Sequence, residues 1–305
     1  MAEEIEVISI GNLNLDLIGK LEKLPQSDEK TILDNLNRRS GGGAANFTVA
    51  CTKLGLKSKL IGCAGKDSFG EEILRGLEER GVETSSIRKV DSLTGLAFIF
   101  STSENHRLLI EHRGANSNLK ISDLKEKYLR EAKLLHASSV TPEMAKQIGI
   151  KSEKFDLKTS LDLGAELTKL GSKELSKILN RFDIGFMNQE TFETIFETIP
   201  NEKNILDKFP EGLETLVITL EAKGAIATNG KETILSPTYK VEVKDTTGAG
   251  DAFAAAFSKL IIDGANLKKA LKYAAAEAAI KVQYIGAREG LPTQEELKNF
   301  VEKHE

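Results

Sequence analysis

Short apolar runs that read as strands alternate along this chain with segments of helical spacing, and glycines close several of them. Ile5–Ile10 is a buried strand ended by Gly11, and Ala44–Leu54 has helical spacing that stops at Gly55. Ser58–Cys63 is strand-like again, and Ser68–Arg80 is an amphipathic helix closed by Gly81. Further strands are predicted at Ala132–Ala137, Leu157–Leu161, Ile184–Met187 and Leu216–Thr219, with helices between most of them. A succession of βα units can bury its apolar faces in few ways. It predicts an α/β fold, a doubly wound and mostly parallel sheet with helices on both faces. With 305 residues and 40% hydrophobic content the chain can bury such a core. No internal repeat or low-complexity linker divides it, so residues 1–305 are expected to form a single domain.

Two segments break the rhythm. Thr94–Phe100 and Arg107–His112 flank the polar stretch Ser101–His106 and read as a β-hairpin. Leu15–Arg39 contains Pro25 and no convincing helix. Together, residues 13–40 and 91–114 are expected to form a small antiparallel lid that closes over a ligand and excludes water. The last third is helical, over Ala249–Asp263, Leu267–Val282 and Thr293–Lys303, and the third helix opens with a capping box, Thr293 and Glu296.

Charge narrows the function. The 42 basic and 46 acidic residues are dispersed, for a formal net charge of −4, and no basic stretch carries interleaved aromatics, which speaks against nucleic acid as a partner. No apolar run approaches the ~18–20 residues that span a bilayer. The Met-Ala-Glu-Glu start has neither a basic n-region nor an apolar h-region, so a cytoplasmic location is expected, and Cys51 and Cys63 read as buried free thiols.

The chemistry concentrates at Asp245-Thr-Thr-Gly-Ala-Gly-Asp251, directly before an Ala-rich apolar run. Backbone N–H groups at a helix start point outward with partial positive charge, so a Gly248-Ala249-Gly250 turn suits a phosphate. Asp251 would repel that anion. It makes sense as the base that deprotonates a hydroxyl attacking the phosphorus. The bland alternative is a tight turn before a buried helix, with Asp251 favoured by the dipole. A dinucleotide fingerprint needs a small residue where Phe253 stands. A P-loop is excluded, because Gly65-Lys66 is followed by Asp67. A second cluster, Ser40-Gly41-Gly42-Gly43-Ala44-Ala45-Asn46, opens an earlier helix, and Asn46 can both donate to and accept from sugar hydroxyls. Asn12, Asn14 and Asp16 follow the first strand, at the sheet edge where open α/β folds bind ligands. His112 and Arg113 end the lid, which makes Arg113 a candidate substrate contact; the four histidines form no metal or triad pattern.

Gly41-Gly42-x-Ala-Ala-Asn46, Gly62-x-x-Gly65-x-Asp67-x-x-Gly70, Gly114-Ala-Asn116 and Asp245-Thr-Thr-Gly-Ala-Gly-Asp251 occur in that order. On these motifs the chain resembles the ribokinase-like (PfkB) family of carbohydrate and nucleoside kinases over essentially its whole length. The resemblance implies a doubly wound α/β core with a small β-sheet lid. It implies Asp251 as general base, Gly248, Ala249 and Gly250 as the anion hole, and Asp16, Gly42 and Asn46 around the sugar hydroxyls, with Asn14 as an addition. Asn188, Thr219, Lys223 and Gly224 match the nucleotide side, together with Gly248 and Gly250. Magnesium would accompany ATP through its phosphates, with Glu190 acting through water. Asp245 and Thr247, with carbonyls of Val282–Gly286 including Gly286, match a monovalent-cation site, for potassium, that shapes the anion hole.

The chain departs from the family pattern on both the nucleotide side and the sugar side. Asn188-Gln189-Glu190 is followed by Thr191, where the family often has Asn-x-x-Glu. Glu221 stands where many relatives carry glycine. Gly43 stands where ribokinases proper have lysine, and Leu134–Ser139 lacks the acid that they place near the sugar. The expectation is an ATP-dependent kinase acting on a primary hydroxyl of a small sugar or sugar derivative. A nucleoside kinase is the alternative, because Gly43 without a side chain leaves room for a base. A non-catalytic sensor on the same scaffold is the reading of a different class, and a homodimer through the exposed lid strands is a further expectation.

Overall fold

The computed structural model describes residues 5–33, 35–102 and 107–304. Residues 1–4, and residues 103–106 of the expected polar turn, lie outside the described residues. The strands, in chain order, are β1 (Val7–Gly11), β2 (Asn14–Leu21), β3 (Leu36–Gly41), β4 (Ser58–Gly65), β5 (Ile87–Val90), β6 (Gly95–Thr102) and β7 (Arg107–His112). They continue as β8 (Leu134–Ser138), β9 (Lys158–Asp162), β10 (Ile184–Asn188), β11 (Thr215–Thr219), β12 (Ala225–Thr228) and β13 (Thr233–Ser236).

Nine strands form the main sheet in the order β13-β12-β11-β10-β9-β8-β1-β4-β5. Pairing is parallel from β11 to β5, and β12 and β13 add antiparallel strands at one edge. Every residue of β1 and β8 is buried, as strands covered on both faces must be. On one face, the helices Gly43–Lys53, Ala249–Ile262 and Leu267–Lys281 pack a core that includes Phe47, Phe186 and Phe257, the last two meeting edge to face at 5.5 Å. On the other, Ile8, Ile61, Leu135 and Leu161 face Ile148, Leu175, Leu179 and Phe192. The C-terminal helix Gln294–Lys303 opens with the expected capping box: Glu296 N–H donates to Thr293 Oγ1 at 3.3 Å, and Thr293 N–H to Glu296 Oε2 at 2.8 Å. Cys51 and Cys63 are buried free thiols. Among the described residues no helix is long and apolar enough to cross a membrane.

The β12–β13 hairpin was not anticipated, although Asn229-Gly230 between its strands is a strong turn signal. The four-residue β5 also escaped the sequence reading, being too short to show a period.

The remaining strands form the lid, in the order β3-β2-β6-β7. Its outer pairs are antiparallel, but the central pair β2–β6 is parallel, with Asn14 opposite Gly95. A purely antiparallel lid is thereby corrected. The reason is the route of the chain: β2 follows β1 and β6 follows β5, and the two enter the lid in the same direction.

Candidate active site

Parallel strands present all their C-terminal ends at one edge, and here those ends are Gly11 (β1), Ser138 (β8), Asp162 (β9), Asn188 (β10) and Thr219 (β11). The chain leaves β1 toward β4 on one side and later returns to β8 on the other, so the crevice beside β1 is a topological switch point. Two helix starts converge there.

The helix Gly43–Lys53 begins after Gly42, whose φ of 94° and close approach to the Asn12 carbonyl exclude a side chain. The helix Ala249–Ile262 begins after Gly248, at φ 78°, pressed against Ala287 so that a Cβ would meet the Ala287 Cα at 2.9 Å. Gly250, by contrast, has nothing within 4 Å of where its Cβ would be, so its Cα borders open space. The Ala249 N–H turns back onto the Thr246 carbonyl at 3.1 Å. Of the three amides expected in the anion hole, Ala249's is therefore engaged, and Gly248 and Gly250 are the donors to consider.

Asn46, from the first helix, donates through Nδ2 to Asp251 Oδ2 at 2.8 Å. Its Oδ1 accepts from Arg288 Nε at 2.9 Å, and Arg288 Nη2 donates to the Gly41 carbonyl at 2.7 Å. Arg288, only 5% exposed, thus ties Gly41 to Asn46 and, through Asn46, to Asp251. Burial pushes the Asp251 carboxyl up to about 7, helped by the like charges of Asp162 and Asp16 and opposed by Asn46 and Arg288. Asp162, at the end of β9, is raised to about 6 by burial and accepts from Ser138 Oγ at 3.2 Å. Asp16 is buried under Gly41, where a Cβ would collide with its carboxylate. Three carboxylates and the Asn46 amide therefore stand close enough to act on one another, and their charge favours hydroxyl donors over an anionic face.

Gly43 does not leave the space that the sequence suggested. A Cβ there would run into Ser138 Oγ and would meet Ser139 Oγ at 3.0 Å and Asp251 Oδ1 at 3.3 Å. The room beside Gly43 is filled by serine hydroxyls at the end of β8, and an acid that the segment Leu134–Ser139 lacks stands one strand further on, as Asp162.

Asn14 stands at the root of the lid, at the start of β2. Its Oδ1 accepts from Asn116 Nδ2 at 2.7 Å and its Nδ2 donates to Glu111 Oε1 at 3.3 Å, while Asn12 Nδ2 donates to the same oxygen at 3.0 Å. Arg113 forms an ion pair with Glu166, which closes the root of the lid onto the short helix after β9. His112 is exposed at the end of β7. His136 is a core residue: it stacks on Phe47 at 3.7 Å, bonds Ser160 Oγ through Nδ1 at 2.8 Å, and burial pushes it down to about 3.

On the other flank, Thr219 ends β11 between Asn188 and Ala225. Lys223 is exposed in the turn that follows, and the carbonyl of Gly224, at φ 101°, accepts from Leu220 N–H at 2.7 Å. Glu221 adopts φ 52°, the left-handed conformation a glycine takes without strain. Asn188 caps the helix Gln189–Phe196 by accepting from Thr191 N–H at 2.7 Å, and Glu190 is exposed in its first turn. Among the described residues no group of three or more His, Cys, Asp or Glu gathers to hold a metal ion. Asp245 Oδ1 accepts from Thr247 N–H at 2.9 Å and from its hydroxyl at 2.7 Å, and Oδ2 accepts from Gly286 N–H at 2.8 Å.

Sequence reasoning missed Asp162, Ser138 as its partner, Arg288 and Lys281. Asp162 carried one signal, its place at the C-terminal end of a predicted strand. Arg288 carried none, since nothing local marks an arginine that reaches Asn46 across 242 positions.

A family model described as pfkB family carbohydrate kinase matches residues 4–294. The chain is 28% identical to an ATP-dependent 6-phosphofructokinase of Thermoanaerobacterium thermosaccharolyticum, covering 98% of this chain and 94% of that protein. It is 31% identical to a ribokinase of Schizosaccharomyces pombe, over 95% of each chain. Among solved structures, the nucleoside kinase of Methanocaldococcus jannaschii superposes with a TM-score of 0.85 at 27% identity, covering 99% of both chains.

Proposed function

The chain belongs to the pfkB family of carbohydrate kinases, and from that premise we propose that it transfers a phosphoryl group from ATP to a primary hydroxyl of a small sugar or sugar derivative. The observation that carries this reading is the placement of Asp251, a half-buried carboxylate one residue behind the turn at Gly250 and held by Asn46 at 2.8 Å. In such a reaction ATP supplies the phosphoryl group and magnesium offsets the charge on its phosphates.

Asp251 takes the proton from the acceptor hydroxyl as its oxygen attacks the γ-phosphorus in line. A base raised to about 7 is matched to that task near neutral pH, because it is strong enough to accept the proton and about half of it is ionised there. The N–H groups of Gly248 and Gly250 and the dipole of the helix Ala249–Ile262 receive the charge that develops on the transferring group. Asp16, Asn46 and Asp162 hold the remaining hydroxyls, and Asn188, Thr219, Lys223 and Gly224 hold the nucleotide. The lid lowers the dielectric around the reacting atoms and keeps water from competing. The exposed Leu36, Leu109 and Ile110 on its edge strands suit pairing with a second copy.

A nucleoside acceptor is the second reading, supported by the M. jannaschii relative. The polar wall of Ser138, Ser139, Asp162 and Asp16 favours a polyhydroxylated acceptor over a flat base. A panel of sugars, sugar phosphates and nucleosides with ATP, followed by ADP release, tests the proposal: turnover on nucleosides alone would replace it, and no turnover on any acceptor would leave a sensor.

A further inference from the structure

Lys281, at the end of the helix Leu267–Lys281, is a charged side chain with 0% exposure. A buried ammonium is costly unless oxygen atoms surround it. Its Nζ donates to the Asp245 carbonyl at 3.1 Å and to the Tyr284 carbonyl at 3.5 Å. Both belong to the loops that bracket the Gly248–Gly250 turn. Those loops are stitched to each other as well: Lys244 N–H and Asp245 N–H both donate to the Val282 carbonyl, at 2.8 and 3.1 Å, and Gly286 N–H reaches Asp245 Oδ2. Burial lowers the lysine's proton affinity, and the charges of Asp245, Asp251 and Glu289 oppose that.

The family resemblance assigns a monovalent cation to this same place, between Asp245, Thr247 and the carbonyls of Val282–Gly286. The residues present do not fit one. Both carboxylate oxygens of Asp245 already accept from N–H or O–H donors, and the Tyr284 carbonyl already faces an ammonium. A free cation would be seated beside a buried positive charge in a poorly screened interior. We propose that the ammonium of Lys281 takes the place of the monovalent cation, holding the two loops that shape the anion hole, so that the enzyme works without potassium. Lys281 is then a positioning residue. It touches neither substrate nor reacting atoms, and its effect passes through the backbone of Asp245 and Tyr284.

The turnover readout rests on the kinase reading, but a thermal-unfolding readout does not, and the two are run together. Purified protein is freed of potassium and titrated with KCl, with tetramethylammonium chloride matching ionic strength. The expected result is a flat response: kcat changes by less than about twofold and Tm does not move with potassium. Lys281→Ala opens the space the side chain fills. That variant should lose at least about tenfold in kcat and recover on addition of potassium, with a potassium-dependent rise in Tm that the wild type lacks. Potassium activation or potassium-dependent stabilisation of the wild type would overturn the proposal, as would a folded Lys281→Ala that potassium neither activates nor stabilises. Should the variant not fold, the wild-type titration alone decides. If no acceptor is turned over, the Tm titration still tests Lys281 while the kinase reading fails separately.

Discussion

Asn46 and Asp251 lie 205 positions apart in the chain and meet at 2.8 Å, Nδ2 donating to Oδ2. One comes from the first helix after the lid strand β3, the other from the first turn of the helix Ala249–Ile262. The bond fixes the carboxylate's orientation and favours its ionised form. Replacing Asp251 with Asn removes the base and keeps the shape, so kcat should fall by about 10²–10⁴-fold. ATP binding measured by calorimetry should stay within about threefold. Unchanged turnover in the variant would remove Asp251 from the base role.

Activity should depend on pH through the same group. A base acts when deprotonated, so kcat/KM should drop as pH falls below about 7, the value to which burial, Asp162 and Asp16 raise Asp251. Asp162→Asn deletes a like charge, and the acidic limb should move to lower pH. A limb that stays in place would show that the two carboxylates do not sense each other.

Stability follows with the opposite sense. Asp251 and Asp162 have folded-state values raised to about 7 and about 6 from an ordinary 3.8, so the native state holds protons that the unfolded chain has lost. Their stabilising contribution is fully present below about 3.8 and is lost as pH rises through 6 and 7. The Asp251→Asn/Asp162→Asn double variant should therefore lose less stability than the wild type between pH about 4 and 7, as urea unfolding at several pH values would reveal.

Arg288 is expected to matter for folding as much as for the site. Removing it strands the Asn46 Oδ1 and Gly41 carbonyl acceptors in the interior. Each costs on the order of 1–3 kcal/mol. Arg288→Met should shift the denaturation midpoint accordingly. Arg288→Lys should not restore it, because a single ammonium cannot copy the spread of Nε and Nη2. Wild-type stability in Arg288→Lys would count against this geometry.

Glu221 occupies φ 52° on the nucleotide flank. Glu221→Gly relieves a left-handed strain of about 1–2 kcal/mol, offset in part by the entropy of a glycine in the unfolded chain. The net expectation is a stabilised protein. Losing a carboxylate beside the expected phosphates should also lower KM for ATP while leaving kcat alone, which steady-state kinetics would resolve. A raised KM would mean that Glu221 holds the nucleotide rather than opposing it.

Much of this was legible before any coordinates. Alternating strands and helices closed by glycines led to the sheet, and the turn at Gly248–Gly250 with Asp251 behind it sits at a helix start, because those features are written in contiguous residues whose backbone preferences are local. The lid was legible for the same reason, as hairpin periodicity interrupting the βα rhythm. What sequence could not state is which distant side chains share a volume. The space beside Gly43 looked open and is filled by serines from β8. Asn14 was expected among the substrate contacts, and its amide also bonds Asn116 and Glu111 at the root of the lid. Arg288 and Lys281 carry no local mark and Asp162 only its place at a strand end, because what sets them apart is their contact with partners brought in by the fold, which is a property of packing rather than of spacing. The chain by itself determined the architecture and the position of the proposed base. The tertiary structure decided how strong that base is, what surrounds it, and where a buried lysine ammonium stands beside the anion turn, since those depend on charges whose separation is set only when the helices pack.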